Sequence, residues 1–333
     1  MRIWYNLPGI METDSPLVSF CVPFYNQERY VDDTLRGIFA QTYPNVELIA
    51  CDDRSTDGTA DRVEEAIAAY RRSGGRIPVT FVRNERNLGI VRNWEKTFSL
   101  AHGELLVSCG GDDISYPDRA RCLVDAWEKS GRTAAIILHG FDRIGLDGRP
   151  SDSDWYSWKI SAEHPLGAVT AYVRGVIDRF GPIEDDGGFE DVIFAKRALL
   201  LGDELRIDKP LIAYRIGSGD STSDPDSYRQ RLKTVVRCLH SHPQTYLDLE
   251  HVGDSVDPAR RDRVRALTDE CAARYPAEHR YLTTPGFLEK FRAYRAYRKV
   301  WGLPNHLSSA IDYVADYLHH RNRPAGGPTS TSR

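Results

Sequence analysis

Leu105-Leu106-Val107-Ser108-Cys109-Gly110-Gly111-Asp112-Asp113 decides how this chain is organised. It is a short apolar run that stops at two glycines and delivers two adjacent carboxylates to the C-terminal end of a strand. In open α/β sheets that edge is where ligands bind. Two carboxylates with little side-chain bulk before them suit a hard divalent cation that keeps other positions free for phosphate oxygens. Taken alone, the pair also has a plainer use, with Asp113 or Ser115 capping the helix that follows Pro117. The sequence on either side separates the two readings.

Upstream, Leu17–Val22, Val46–Cys51 and Val79–Arg83 read as strands, with helical spacing over Gln27–Gln41, Thr59–Arg72 and Val91–Ala101 between them. Glu104–Cys109 is a fourth strand, followed by a helix over Pro117–Lys129 and a strand over Ala134–His139. Pro117 suits a first helical turn, where its missing N–H costs nothing. This alternation predicts an α/β fold, a mostly parallel sheet covered by helices on both faces. Residues 141–165, rich in Asp, Ser, Gly and Trp, read as a hairpin or loop insert. Helical spacing returns over Val169–Phe180 and Asp191–Leu201, the second stopped by Gly202, and short strands follow at Glu204–Ile207 and Leu211–Tyr214. From about Asp226 onward only helices are expected, broken near 243, 258, 276, 285 and 304. The expected organisation is an N-terminal extension (1–15), an α/β domain (16–225), a helical region (226–323) and a Gly/Pro/Ser/Thr-rich tail (324–333) that reads as disordered.

Composition narrows the partners. A chain of 333 residues with formal charge -4 carries no general pull toward nucleic acid. No apolar run approaches the roughly 20 residues that span a bilayer, and the N-terminus has no apolar core of a signal peptide. The cysteines at 21, 51, 109, 122, 238 and 271 show neither CxxC pairing nor metal spacing, which points to a reducing cytoplasm.

Three further segments place polar groups at strand ends. In Val22-Pro23-Phe24-Tyr25-Asn26-Gln27-Glu28 an aromatic can stack on a nucleobase and Asn26 or Glu28 can bond sugar or base edges; an ordinary turn with a cap is the plainer alternative. Asp52-Asp53-Arg54-Ser55-Thr56-Asp57-Gly58-Thr59 opens a match to calcium-loop spacing over Asp53–Glu64, but a strand stands where an EF-hand needs a helix. Asp57 as a helix cap is the better reading, with Asp52 and Asp53 projecting toward a base. Arg83-Asn84-Glu85-Arg86-Asn87-Leu88-Gly89, then Arg92-Asn93, offers cations to a diphosphate or a solvated basic loop. The G-x-G-x-x-G of a dinucleotide fold is absent, as is the Gly-rich basic loop of a nucleotidylyltransferase.

Together these segments resemble glycosyltransferase family 2, over about residues 16–217. The likeness rests on V-P-F-Y-N-Q-E, Q-T-Y-P-N-V-E-L at 41–48, D-D-R-S-T-D-G-T, R-N-x-x-N-L-G, G-G-D-D and F-E-D at 189–191, in the family's order. It implies a single Rossmann-like nucleotide-sugar transferase domain, a parallel core with one reversed strand, here carrying a C-terminal helical extension. It also implies an inverting, metal-dependent transfer from a nucleoside-diphosphate sugar, most often UDP-linked, to a saccharide or lipid-linked saccharide acceptor in surface polysaccharide or glycolipid assembly. Tyr25 and Pro23 would flank the nucleobase, Asp53 would bond it with Asp52 and Glu28 nearby, and Asn87 and Arg92 match donor-side polar positions. Asp112 and Asp113 would hold Mg²⁺ or Mn²⁺ on the diphosphate, Asp112 also on the nucleotide side. Asp191 would be the general base beside Glu190, ionised at a helix N-terminus, with Asp186 its substitute.

The chain departs from the family in two places. Gly110 stands where the first Asp of D-x-D-D often lies, and Tyr214-Arg215-Ile216-Gly217-Ser218 lacks the histidine that often follows as a metal ligand, leaving Ser218, Asp220 or water to fill in. These departures favour a rival, a catalytically silent nucleotide-sugar binder or scaffold of the same fold. Without Q-x-x-R-W, single-sugar transfer is expected rather than polymer extrusion. Finally, Phe287, Phe291, Tyr294, Tyr297 and Trp301 form a stripe among Lys290, Arg292, Arg295, Arg298 and Lys299, and Leu307, Ile311, Val314 and Leu318 form a second. Peripheral contact with the inner membrane face and packing, on the domain or in a homodimer, are both open; packing is favoured.

Overall fold

The computed structural model describes residues 15–152, 160–163, 165–218 and 228–300. Trp301, the stripe from Leu307 to Leu318, Asp220, the tail at 324–333 and nearly all of the N-terminal extension lie outside the described residues.

Strand β1 (Val18–Phe24) shows how the sheet acquires two covered faces. Val18, Phe20, Val22 and Phe24 enter one apolar cluster and Cys21 the other, as the period of two in a pleated strand requires. Chain order then gives α1 (Val31–Phe39), β2 (Val46–Asp52), α2 (Thr59–Arg72), β3 (Val79–Arg83), α3 (Ile90–Ser99), β4 (Leu105–Ser108), β5 (Ile114–Ser115), α4 (Arg119–Lys129) and β6 (Ala134–Ile144). There follow β7 (Thr170–Val173), α5 (Gly175–Asp178), α6 (Glu190–Leu201), β8 (Asp203–Arg215), α7 (Tyr228–Val252), α8 (Pro258–Thr283) and α9 (Phe287–Val300). Leu35, Ile38, Val63, Leu123 and Trp127 bring α1, α2 and α4 onto the first face. Val91, Phe98, Ile193 and Phe194 bring α3 and α6 onto the second, where Leu249 and Val252 of α7 and Val264 of α8 join them.

The strand order is β3-β2-β1-β4-β7-β6-β8-β5. β3, β2, β1 and β4 run parallel, so their C-terminal ends share one edge. β7 is antiparallel to both neighbours, the reversed strand that was expected, and the two-residue β5 is a second against β8. The parallel core stands as read from sequence; the N-cap of α2 is Gly58 rather than Asp57, which sits one residue earlier and accepts from the Thr59 N–H at 3.0 Å.

Several local expectations change. Val169–Phe180 is not a helix: a 3₁₀ turn at Gly167–Val169, strand β7 and the short α5 replace it. A strand buried on both faces is apolar throughout and cannot be told from a buried helix by periodicity. The two short strands after Gly202 are one, because Asp208-Lys209-Pro210 is absorbed as a register shift opposite His139 and Gly140. Pro243 and Pro276 lie inside α7 and α8 instead of ending them, since packing on the domain holds each helix through the lost hydrogen bond. Pro117 precedes α4, whose N-cap is Asp118 with no side-chain cap bond, so neither Asp113 nor Ser115 caps it.

The described part of the aromatic stripe, Phe291, Tyr294 and Tyr297, turns inward. Tyr294 and Tyr297 pack on Tyr281 of α8, 5.2 and 5.5 Å between ring centroids, and Phe291 joins the same cluster. Arg292, Arg295 and Lys299 remain on the exposed side. No helix among the described residues is long and apolar enough to cross a membrane.

Candidate functional site

The loops after β1 and β2 are stitched to each other. Asn26 sits at φ 53°, a left-handed conformation that Asn tolerates, which turns its side chain onto the second loop. Its Oδ1 accepts from the Thr56 N–H at 2.8 Å, while its own N–H donates to Ser55 Oγ at 2.9 Å. Gln27 N–H donates to Thr59 Oγ1 at 2.7 Å, and Glu28 Oε2 accepts from the Gly58 N–H at 3.1 Å. These bonds hold the chain in turns to Tyr30, so α1 begins at Val31, later than its apolar spacing suggests. They also commit Glu28 to the start of α2. Pro23 lies where β1 borders β2 after β4 has left the ladder, a place that tolerates a missing N–H. Tyr25, 49% exposed, stands at the strand end with its ring available.

Asp52 and Asp53 are buried and bonded. Asp52 accepts from the Ser55 N–H (3.1 Å) and hydroxyl (2.5 Å). Asp53 Oδ1 accepts from Asn84 Nδ2 (2.9 Å) and the Leu88 N–H (2.7 Å), and Oδ2 from the Gly89 N–H (2.9 Å). A carboxylate offers about four lone-pair sites; Asp53 uses three to hold the loop of residues 84–89, which leaves one site open on Oδ2 among the described residues. Asn87 belongs to the same knot, donating to the Asp53 carbonyl at 2.9 Å. Arg92 pairs with Glu95 at 2.9 Å and donates to the Glu184 carbonyl at 3.1 Å. Arg83 pairs with Asp61 and Glu64 on α2, the solvated alternative.

The Asp112–Asp113 pair lies at the same sheet edge. Ser218 Oγ donates to Asp112 Oδ2 at 2.6 Å, and the Arg215 N–H donates to Asp113 Oδ1 at 2.9 Å. The buried Arg215 guanidinium donates to the Asp112 carbonyl at 2.8 Å, pairs with Asp33 at 3.2 Å and lies 4.6 Å over the Tyr30 ring. Burial raises the pKa of Asp112 despite hydrogen bonds from Ser218 and Gln27. Burial and then the Asp112 charge push Asp113 well above the carboxylate range. Gly110 explains the departure from D-x-D-D in part. A Cβ there would lie 2.7 Å from Asp113 Oδ2 and 2.8 Å from Asp112 Oδ1, so the carboxylates occupy the space a side chain would fill. Two buried carboxylates that repel each other, with a hydroxyl alongside, fit a hard divalent cation completed by phosphate oxygens and water. Among the described residues no cluster of three His, Cys, Asp or Glu side chains gathers in metal-holding geometry.

The second acidic pair opens α6. Asp191 Oδ1 accepts from the Val192 N–H (2.8 Å) and Oδ2 from the Gly167 N–H (3.2 Å). Glu190 lies 3.4 Å from Arg237 of α7. Sequence reasoning expects Asp191 to be held ionised by the helix terminus; burial instead raises it, against Arg237 and the two N–H donors. Burial and the Asp191 charge push Glu190 up to about 7. Among the described residues the buried Tyr172 hydroxyl has no hydrogen-bond partner, and it feels both charges. Asp186 is exposed, while Asp185 pairs with His240 at 2.6 Å. Arg237 was missed; its signal was a polar stripe at 237, 240, 241 and 244 on an otherwise unremarked helix.

Residues 19–171 match the profile of glycosyl transferase family 2. A Bacillus subtilis glycosyltransferase, TuaG, named for teichuronic acid biosynthesis, is 30% identical over 137 residues, 41% of this chain and 51% of that one. The chain thus spans about half the length of the curated relatives it matches. Among solved structures, TarS of S. aureus in complex with UDP superposes with a TM-score of 0.55 at 16% identity, over 92% of this chain and 89% of that one. A mannosyltransferase of Pyrobaculum calidifontis, in complex with GDP-Man and Mn²⁺, gives 0.57 at 19% identity, over 94% and 82%. At such identities the likeness establishes a shared fold.

Proposed function

Because the chain belongs to glycosyl transferase family 2 through residues 19–171, we propose that it moves a sugar from a nucleoside-diphosphate sugar, UDP-linked in the first instance, to an acceptor hydroxyl with inversion. The observation that carries the proposal is the adjacent Glu190–Asp191 pair at the start of α6, held by Arg237 and the Gly167 and Val192 N–H groups, with Asp191 raised by desolvation and Glu190 pushed up to about 7. A general base works best with a pKa near the operating pH and contributes about 10²–10⁴-fold.

Tyr25 would stack on the base of the nucleotide, with the open site on Asp53 Oδ2 accepting from a base or ribose donor. Arg92 stands by for negative charge on the donor side. Asp112 and Asp113 would hold Mg²⁺ or Mn²⁺, which supplies charge neutralisation to the departing diphosphate. Asp191, less buried than Glu190, accepts the acceptor's hydroxyl proton as that oxygen bonds the anomeric carbon. The bond from that carbon to the diphosphate oxygen breaks on the opposite face. Glu190 keeps negative charge beside Asp191 and so raises its basicity. The acceptor class that fits the family is a saccharide or lipid-linked saccharide of a surface polysaccharide.

The test is calorimetric titration of UDP, GDP and dTDP with and without Mn²⁺, on wild type and on Asp112→Ala/Asp113→Ala. Metal-dependent binding of one nucleotide, lost in the double variant, identifies the donor's base. A sugar-transfer screen with Asp191→Asn then separates enzyme from silent binder: a bound nucleotide with no transfer overturns catalysis, and no binding at all overturns the donor site.

A further inference from the structure

One polar face of α7 takes hold of the segment that leads into the acidic pair. Arg237, His240, Ser241 and Gln244 fall at i, i+3, i+4 and i+7, a single helix face. Arg237 donates twice to the Gly188 carbonyl (3.1 and 2.9 Å), lies 3.4 Å from Glu190 Oε2, and rests 3.9 Å over the Phe189 ring. His240 Nδ1 is 2.6 Å from Asp185 Oδ2. Ser241 Oγ accepts from the Phe189 N–H at 2.8 Å, and Gln244 Oε1 from the Glu184 N–H at 2.7 Å. Contact is close enough that a Cβ on Gly188 would lie 2.8 Å from Ser241 Oγ. From the other side α3 grips the same segment, Glu95 Oε1 accepting from the Ile183 N–H at 2.5 Å and Arg92 donating to the Glu184 carbonyl at 3.1 Å.

We infer that Arg237 is a positioning residue for the Glu190–Asp191 pair, fixing where the Glu190 carboxylate lies and what charge faces it through a strap, residues 183–190, clamped between α7 and α3. The inference rests on the reading that this pair handles the acceptor's proton, and deepens it by making the helical extension part of the active site. Three groups face Glu190: Asp191 on its own helix, Arg237 from α7, and the Tyr172 hydroxyl from β7. Arg237 is the cation among them. Its planar fork bonds a carbonyl and a carboxylate while its face lies on an aromatic ring, a set of contacts a lysine reproduces only in charge. Removing it leaves two buried carboxylates facing each other, so Glu190 keeps its proton to higher pH and the pair is in its basic form only in more alkaline solution.

The test uses the full chain with Arg237→Gln, Arg237→Lys and Ser241→Ala, and Glu190→Gln to assign the signal. Infrared titration of ¹³C-labelled glutamate carboxyls reads Glu190 whether or not sugar is transferred. In Arg237→Gln the Glu190 midpoint rises by about one unit, the low end for loss of an adjacent opposite charge, and Arg237→Lys restores most of it. In turnover, Arg237→Gln lowers kcat about tenfold near neutrality, moves its acid limb upward and leaves the donor KM in place. Ser241→Ala loosens the strap without altering charge, and lowers kcat several-fold with the acid limb unmoved. A folded Arg237→Gln with unshifted Glu190 titration overturns the inference; so does unchanged kcat in Ser241→Ala if Arg237→Gln does not fold. A shifted titration in a protein that transfers no sugar overturns the functional reading and leaves the positioning contact standing.

Discussion

The carboxylates after β1 and β2 and those after β4 and before α6 are handled in opposite ways. Glu28, Asp52 and Asp53 are spent on N–H and O–H donors of neighbouring loops, with Asp53 alone taking two backbone N–H groups and an amide. Asp112, Asp113 and Glu190 are also buried and Asp191 half-buried, but their donors do not offset desolvation, joined at Asp113 and Glu190 by the charge of the neighbouring acid, and all four are raised. An acidic residue in a motif thus serves as a stitch where the backbone surrounds it with donors. It is a candidate reagent where the backbone leaves charge uncompensated.

The sharpest way to break that contrast is to neutralise one acid of the second kind. Asp191→Asn keeps the shape and one acceptor oxygen, enough for either the Val192 or the Gly167 N–H, but cannot take a proton. Transfer should fall about 10²–10⁴-fold, with nucleotide binding retained. The wild-type rate should climb as pH rises through about 7, where Glu190 releases its proton, because a raised carboxyl is a base only above its folded pKa. A flat profile from pH 5 to 9, or an Asp191→Asn variant of normal rate, would remove the pair from the chemistry.

The complementary substitution removes a stitch. Asp53→Ala leaves the Leu88 and Gly89 N–H groups and the Asn84 amide without their acceptor. Groups orphaned this way cost about 1–3 kcal/mol. Urea unfolding should report a loss in that range, and amide exchange should rise first at Leu88 and Gly89. Retained stability with a large loss of nucleotide affinity would put Asp53 among the reagents.

The halves also differ in how far the sequence reveals them. The two strands and one helix from Val46 to Arg83 fall where periodicity puts them, since each strand is short and the helix amphipathic. The Asp112–Asp113 and Glu190–Asp191 pairs were both legible, because adjacent acids at a strand end or helix start are visible in one dimension. What was not legible depends on partners far apart in sequence. Asp53 meets residues 84–89 only through the β2–β3 register, and Arg237 meets Glu190 only once α7 folds back on α6. β7 was mistaken for a helix because the strands β4 and β6 that pair with its edges, and the helices that cover its faces, come from elsewhere in the chain.

A smaller effect, of opposite sign to that of Asp53→Ala, is expected at Asp113. Its raised folded-state pKa means the native protein binds more protons than the unfolded chain between the ordinary carboxylate range and the folded value. Stability therefore falls as pH rises through that window. Asp113→Asn removes this penalty, so without metal it should melt on the order of a few degrees above wild type at pH 7–8, the difference vanishing below about pH 4. Adding Mn²⁺ should reverse the order, since wild type alone keeps both carboxylates. A variant that melts lower than wild type without metal at every pH would class Asp113 with the stitches.

Tyr25 tests the contrast where no charge is involved. It belongs to the stitched half by position, yet the residue is 49% exposed and its backbone N–H, not its ring, makes the 3.3 Å bond to Gln27 Oε1. Truncation to alanine leaves that backbone bond and the neighbouring Asn26 and Gln27 bonds intact, so stability should stay within about 0.5 kcal/mol of wild type. If the ring is a platform for the nucleobase, nucleotide binding should weaken by about 1 kcal/mol or somewhat more, roughly fivefold in Kd. Tyr25→Phe should bind as wild type does, because stacking needs the face of the ring and not its hydroxyl. Equal affinity in wild type and Tyr25→Ala would leave the first loop without a contact to the base. A stability loss comparable to that of Asp53→Ala would instead make the tyrosine one more stitch, and would confine the reagents of this molecule to the acids beyond β4.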